Sequence, residues 1–328
     1  MIQKIYVYDG KGFDPHVNLA IEKYLLNRVQ PGECILYLWQ NQNTVVIGRN
    51  QNAWAECRTT LLESEGGKLA RRLSGGGAVF YDLGNLNFTF LVRDEDYDVD
   101  RQLSVIQSAC ALAGIATEKS GRNDVLAEGR KFSGNAFYHH AGHAYHHGTL
   151  MVDVDKDKLG RYLSPPKAKL EAKGVASVRS RVVNLRELCP SLTCDGMRKL
   201  MVEAFQKVYG LPANTMHLTA DAMVEIEETE DLYRSWDYLY GNALAFTFQC
   251  EERFDWGHIT VQLEANSGTV TGVKVYSDAM DWLLAGAVED ALTGCTFRLG
   301  DMQQALKEKI ADPAIAKDLC ELLEKQSI

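Results

Sequence analysis

The sequence predicts an α+β protein of two domains, a larger one over residues 1–246 and a smaller one over 247–328. Three observations carry this. β-type apolar runs and helical patterns interleave through the first part. Near residue 246 the texture changes: Ile259, Val261 and Leu263 alternate with polar residues, Asn266-Ser267-Gly268 turns, and Val273 and Val275 alternate again. At 328 residues the chain is long enough for more than one core.

Ile2 to Tyr8 reads as the first strand, and Asp14-Pro15 opens a helix with Val17, Ala20, Ile21, Tyr24 and Leu25 on one face. Cys34 to Trp39 and Thr44 to Ile47 are β-type runs joined by Gln-Asn-Gln-Asn. Asn52 caps a helix reaching about Glu65. A short strand follows Gly66-Gly67, and Leu86 to Val92 is the next. Leu103, Ile106 and Cys110 share a helix face. Asp124 to Glu128 and Arg130 to Phe137 read as hairpin arms about Glu128-Gly129, followed by a β segment from His146 to Val154. After the Pro165-Pro166 break, helices are expected at Asp195 to Tyr209 and Ala222 to Tyr238. The last part ends in helical patterns at about 279–292, 300–311 and 313–325.

Acidic side chains outnumber basic ones, 44 to 35, for a formal net charge of -9. That disfavours a general nucleic-acid or anionic-membrane binder. Eight cysteines are scattered without tight pairs, mostly in apolar company, as in a reducing compartment. The start, MIQKIYVYDG, lacks the apolar stretch of a signal peptide, and no apolar run approaches the ~20 residues of a membrane span. A cytosolic (cytoplasmic) protein is expected.

The stretch Arg71-Arg72-Leu73-Ser74-Gly75-Gly76-Gly77-Ala78-Val79-Phe80-Tyr81-Asp82 holds most of the chemical signal. Adjacent guanidiniums offer forked donors to phosphate or carboxylate, and bare glycines let a ligand approach the backbone amides. The same pattern also suits a tight turn or bulge between strands. No G-x-x-x-x-G-K-[ST] loop occurs, and no G-x-G-x-x-G follows a strand and opens a helix. A bound nucleotide therefore needs another scheme. Candidates are this loop, the lysine of Arg130-Lys131-Phe132-Ser133-Gly134, and the basic tract Lys173 to Arg181.

The chain resembles the lipoate–protein ligases of the biotin/lipoate ligase superfamily, in their long two-domain form. The resemblance rests on RRLSGGGAVFYD (71–82), GRND (121–124), RKFSG (130–134), HHGTL (146–150) and KGVASVRSR (173–181). Asn18-Leu19-Ala20, TVVIGR (44–49) and Arg253 to Gly257 add to it. It implies a mixed, largely antiparallel sheet with surrounding helices, like that of class II synthetases and biotin ligases, plus a small α+β accessory domain. It also implies a two-step reaction: ATP and lipoate form lipoyl-AMP with release of pyrophosphate, then the lipoyl group passes to a lysine of an acceptor. The acceptors implied are lipoyl domains of 2-oxoacid dehydrogenases and the glycine-cleavage H protein.

Residue by residue, the resemblance makes Lys131 the catalytic contact to the lipoate carboxyl and the α-phosphate. An ammonium there holds the carboxylate and stabilises charge in the transition state. Arg72, Ser74, Gly75, Gly76, Gly77, Ala78, Val79 and Phe80 are expected to line the lipoate and nucleotide pockets, with Arg72 toward phosphate. Asn123 and Asp124 are placed near the adenylate, and His147 and Gly148 beside the pocket. Lys173, Gly174, Val175, Ser177, Val178 and Arg179 form the adenylate-binding loop, with Gly174 as the hinge of a water-excluding lid. Magnesium is expected to travel with ATP, near Asp124, without a resident metal site. Tyr81 stands where many relatives have histidine, and reads as a packing or positioning residue.

Octanoyl and lipoyl transferases of the same superfamily work without ATP through a cysteine thioester. Between Arg71 and Arg181 the only cysteine is Cys110, on an apolar helical face. A biotin ligase reads differently in the basic loop, and a carrier-binding module needs no phosphate-handling residues. The histidines at 139, 140, 143, 146 and 147 do not read as a metal set: the resemblance gives His146 and His147 a fold role near the pocket and puts the other three in a stretch of variable length.

Overall fold

The computed structural model describes residues 1–121, 123–163, 182–240, 248–266 and 268–325. The chain forms two compact units. One comprises Met1–Val46, Cys57–Ala70 and Val79–Ser235; the other comprises Ile47–Glu56, Arg71–Ala78 and Trp236–Ile328. The second unit thus takes in two short stretches from early in the chain, which linear texture does not reveal.

The chain begins with β1 (Lys4–Asp9) and α1 (Pro15–Arg28). Asp14 caps α1, accepting from the backbone amide of His16 at 2.9 Å, with Pro15 set in the first turn. Next come β2 (Glu33–Trp39), β3 (Thr44–Ile47), α2 (Ala53–Glu56), α3 (Thr59–Ser64), β4 (Lys68–Arg71), β5 (Val79–Tyr81) and β6 (Asn85–Arg93). The helix expected from Asn52 to Glu65 is broken in two. Cys57 bridges to Leu163, and the Arg58 amide donates to the Tyr162 carbonyl at 2.9 Å, so tertiary pairing claims the backbone between α2 and α3.

α4 (Val99–Leu112) leads to β7 (Glu118–Ser120), β8 (Asp124–Ala127), β9 (Arg130–His140), β10 (His143–Met151) and α5 (Lys156–Tyr162). After the basic tract come α6 (Leu185–Leu188), α7 (Cys194–Tyr209), β11 (Ala213–Thr215) and α8 (Ala220–Arg234). Gly210, at φ +67, ends α7 in the left-handed conformation that glycine favours. The second expected helix, Ala222 to Tyr238, stops at Ser235, whose ψ of 144° is extended, before α9 (Trp236–Tyr240).

Eight strands form one sheet in the order β11-β1-β2-β6-β10-β9-β8-β7. β1 is parallel to β11 and β2, and each later neighbour pairs antiparallel, as the expected mixed sheet requires. Strand β6 shows how its faces divide. Leu86, Phe88, Phe90 and Val92 enter the core with Ile106 and Cys110 of α4 and Met201 and Phe205 of α7. Asn87 and Thr89, buried on the opposite face, begin a polar layer beneath α1.

In the second unit β12 (Phe248–Phe254), β13 (Gly257–Asn266) and β14 (Thr269–Ser277) form an antiparallel meander, where the sequence showed only a hairpin. α10 (Leu284–Leu292), α11 (Leu299–Lys309) and α12 (Pro313–Glu324) follow. Ile259, Val261 and Leu263 join Val288, Leu306 and Leu319 in its own core. Among the described residues no helix is long and apolar enough to cross a membrane.

Candidate active site

The candidate site centres on the β8–β9 hairpin. Glu128 and Gly129 turn it at φ +51 and +70, the paired left-handed geometry of a tight hairpin. Asp124 pairs with Gly134 and Val125 with Ser133, but Leu126 pairs with Lys131, so the register slips by one residue at Phe132. Such a bulge re-aims a side chain. Here it accompanies Lys131 Nζ lying 2.6 Å from Asp124 Oδ1, with both side chains about one-third exposed (37% and 34%).

Two glycines accommodate this pair. A Cβ on Gly134 would lie 3.0 Å from Lys131 Nζ and 3.1 Å from its Cε. A Cβ on Gly148, in the neighbouring strand, would meet the Gly134 carbonyl oxygen at 2.7 Å and Asn135 Oδ1 at 2.8 Å. The Gly134 amide donates to Thr149 Oγ1 at 3.1 Å, and the Lys131 carbonyl accepts from the Val183 amide at 2.9 Å. The backbone around the ammonium is therefore fixed, while the lysine side chain as a whole is partly exposed. A compact, movable cation beside a single carboxylate is suited to exchange that partner for an incoming anion.

Asn123 is tied to Asn135: the Asn135 amide donates to the Asn123 carbonyl at 2.8 Å, and Asn123 Nδ2 donates to the Asn135 carbonyl at 3.2 Å. The structure thus brings Asn123, Asp124, Lys131 and Gly148 together, although 25 residues of chain separate the first from the last (148 − 123).

The glycine loop belongs to the second unit, and its two arginines are turned inward. Arg71, 5% exposed, donates to the carbonyls of Arg49 (2.8 Å), Gln51 (2.7 Å), Tyr238 (3.0 Å) and Leu239 (2.6 Å). Burial pulls its pKa down to about 10, which still leaves it charged at neutral pH. Arg72 donates to Ser74 Oγ at 3.1 Å and to the carbonyls of Gly75 (2.7 Å) and Gly77 (2.8 Å), closing its own loop. Gly76 sits at φ +90 and its amide donates to the Ala279 carbonyl at 3.0 Å. A Cβ on Gly75 would collide with that carbonyl oxygen and reach Met280 O at 2.9 Å. These glycines serve a close backbone seam first.

Ala78 and Val79 are half-buried, and Phe80 is buried against Tyr162 with ring centroids 5.3 Å apart. Tyr81 is buried edge-on to Trp39 at 6.5 Å. His147 Nδ1 lies 2.9 Å from Glu22 Oε1, and that carboxylate also accepts from Thr89 Oγ1 at 2.7 Å, which in turn accepts from Trp39 Nε1 at 3.1 Å. Sequence reasoning missed Glu22, Thr89 and Trp39. The available signal was two polar residues, Asn18 and Glu22, spaced i,i+4 on the buried stripe of α1.

Lys173, Gly174, Val175, Ser177, Val178 and Arg179 lie outside the described residues. Among the described residues no three His, Cys, Asp or Glu side chains converge as metal ligands. A surface cavity of about 480 Å³ holds none of these site residues; Glu95, Asp96, Asp98 and Asp100 in its lining outnumber the cations there, Arg101 and the Met1 ammonium, which disfavours a carboxylate or phosphate.

The Lipoyl protein ligase A/B catalytic domain family matches residues 14–206, and the Bacterial lipoate protein ligase C-terminus family matches residues 243–323. A lipoate-protein ligase A of Bdellovibrio bacteriovorus is 39% identical over 312 residues, covering 93% of this chain and 92% of that protein. The crystal structure of P. falciparum LipL1 in complex with lipoate superposes with a TM-score of 0.86 at 25% identity, over 98% of this chain and 99% of that one. Two further structures share the fold. A bipartite lipoate protein ligase from Thermoplasma acidophilum, studied with its E2 lipoyl domain, has a TM-score of 0.66 at 24% identity, over 76% of this chain and 100% of that one. A lipoate-protein ligase A bound with ATP has a TM-score of 0.63 at 23% identity, over 73% and 98%. With its larger part matched by that catalytic family and nearly all of it by a relative of 39% identity, the chain belongs to the lipoate–protein ligase family.

Proposed function

We propose that this enzyme is an ATP-dependent lipoate–protein ligase in which Lys131 is the residue that meets the reacting groups. The carrying observation is the Lys131–Asp124 pair, held by a bulged hairpin inside the family-matched region. In the first step a lipoate carboxylate oxygen attacks the α-phosphorus of ATP, the bond to the bridging oxygen of the β-phosphate breaks, and pyrophosphate leaves. Two anions meet there, so a cation that can leave Asp124 for the carboxylate–phosphate junction lowers the barrier. In the second step the uncharged ε-amine of an acceptor lysine attacks the anhydride carbonyl, AMP leaves, and the new amide nitrogen loses its proton. The acceptors in this reading are lipoyl domains of 2-oxoacid dehydrogenase complexes and the glycine-cleavage H protein.

Residues 1–246 carry this chemistry in our reading, and residues 247–328 form an accessory domain. Asp124 is the carboxylate suited to a magnesium ion riding on the triphosphate, where the ion would neutralise phosphate charge. One part-exposed carboxylate fits that role, since magnesium keeps much of its water and takes few protein ligands. Arg72, Ser74 and Gly75 to Phe80 remain the candidates to line the lipoate and nucleotide pockets, and 173–179 the candidate adenylate loop. Free thiols at all eight cysteines suit the cytosol.

A cysteine-dependent acyl transferase is poorly served. Cys110 is wholly buried on α4, and burial pushes its thiol up to about 12, where almost no thiolate forms at neutral pH. The deciding experiment is ATP–pyrophosphate exchange with lipoate, octanoate and biotin side by side. Exchange that depends on lipoate or octanoate is expected. Acyl transfer from a preloaded carrier with no exchange for any acid would replace this function with the transferase.

A further inference from the structure

His146 is a polar ring in an apolar place. On β10 it has no exposure and packs against Phe88, Phe90 and Phe137, with centroids 5.4, 5.9 and 5.1 Å away. A buried imidazole there is costly unless both nitrogens are partnered. Nε2 lies 2.8 Å from Asn135 Oδ1, and Nδ1 lies 3.2 Å from Gln102 Oε1 on α4.

Burial, with the charges of His147 and Lys119, drives the ring pKa down to about 3, so the imidazole is neutral and carries one N–H. Its place follows from Asn135. Asn135 Nδ2 is committed as a donor to the Asn123 carbonyl at 3.0 Å, so Oδ1 must accept, and the proton sits on His146 Nε2. Nδ1 is then an acceptor. The group able to donate to it is Gln102 Nε2, which has no other hydrogen-bond partner among the described residues. Turning the Gln102 amide over gives Nδ1 its donor, since the oxygen and nitrogen of an amide are told apart only by their hydrogen bonds.

With the Gln102 amide so turned, the donors run one way, from Gln102 to His146, from His146 to Asn135 and from Asn135 to the Asn123 carbonyl; the last two links stand at 2.8 and 3.0 Å. Asn123 immediately precedes Asp124, whose carboxylate holds Lys131. We propose that, granted the adenylating role of Lys131, His146 is a positioning residue for that step, fixing the Asn123–Asp124 turn through Asn135 without touching substrate. The ring's second duty is packing, so the test must separate the two.

His146→Phe keeps an aromatic ring and removes the donor, whereas His146→Gln keeps an N–H near the Nε2 position. In lipoate-dependent ATP–pyrophosphate exchange, H146F is expected to lose about 10- to 100-fold in kcat with little change in the KM for lipoate. H146Q is expected to recover most of that loss despite its poorer packing. Asn135→Asp, nearly isosteric, faces the Asn123 carbonyl with an acceptor and is expected to act like H146F; it carries the test if H146F does not fold. In an Asp124→Asn background the effect of the His146 or Asn135 change should shrink to about twofold or less, because the relay acts through Asp124. Parent-like kcat in H146F or N135D, or equal losses in H146F and H146Q, would overturn the proposal. Exchange surviving in Lys131→Ala would instead overturn the role of Lys131, and is read separately.

Discussion

Lys131 Nζ and Asp124 Oδ1 stand 2.6 Å apart across a hairpin whose register slips between them. Asp124 pairs in the backbone ladder with Gly134, three residues beyond Lys131, and the bare Cα at 134 leaves room for the lysine to fold back. The ammonium is thus parked on a carboxylate that it can leave.

Lys131→Ala should abolish lipoate-dependent ATP–pyrophosphate exchange and leave the protein folded. Both side chains are about one-third exposed, but Asp124 Oδ1 is itself buried, so losing the pair is expected to cost about 1–3 kcal/mol. Exchange rates and thermal melting check the two halves independently; a variant that melts early without losing exchange would reverse the assignment.

Gly134→Ala probes the same pair from the other side. Its new Cβ meets only the flexible end of Lys131, at 3.0 and 3.1 Å, so the fold should tolerate it while the ammonium is displaced. We expect kcat for exchange to fall roughly tenfold with melting close to the parent. An unchanged kcat would mean that this pose of Lys131 does not matter to the chemistry.

Gly75→Ala should behave in the opposite way. Here the added methyl meets backbone, the Ala279 and Met280 carbonyl oxygens, and neither can swing aside. A loss of about 1–3 kcal/mol is expected from urea denaturation. Stability equal to the parent would show that the seam yields easily.

Asp14 ties local structure to pH. Burial raises its pKa, but hydrogen bonds from His16, Lys68 and Arg234 outweigh burial and hold it well below the usual carboxylate range. A carboxyl depressed in the folded state contributes stability above its unfolded pKa, about 3.9, and that contribution is lost as pH falls toward the folded value. Asp14→Ala should therefore cost about 1–2 kcal/mol at pH 7, with a gap to the parent that narrows below about pH 4. Equal gaps at pH 7 and pH 3 would argue against a charged cap.

Much of this protein was legible in the linear sequence. Helix α1 begins where Asp14-Pro15 said it would, because an N-cap side chain and a proline act on the nearest turn alone. Thr44–Ile47 and the Glu128-Gly129 hairpin emerged likewise, since β-branched runs and left-handed turns are local properties. The apolar alternation of Ile259, Val261 and Leu263 became part of a core of the second unit. Family membership was legible too, through short motifs kept in order.

What only the tertiary structure decided was the work done by each polar side chain. Arg71 and Arg72 look like anion donors in sequence, yet their guanidiniums are taken up by carbonyls that a folded loop brings within 3 Å. A forked donor satisfies whichever acceptors arrive, and sequence spacing does not say which. Glu22 and His147 are 125 residues apart and meet only because α1 lies over β10. His146 and His147 are adjacent, yet strand pleating sends one ring among phenylalanines and the other to a carboxylate. Local propensity set most elements of this chain, although tertiary pairing broke the helix expected from Asn52 to Glu65. The partners of its buried charges came from packing, because a desolvated polar group takes the nearest complement in space and not in sequence.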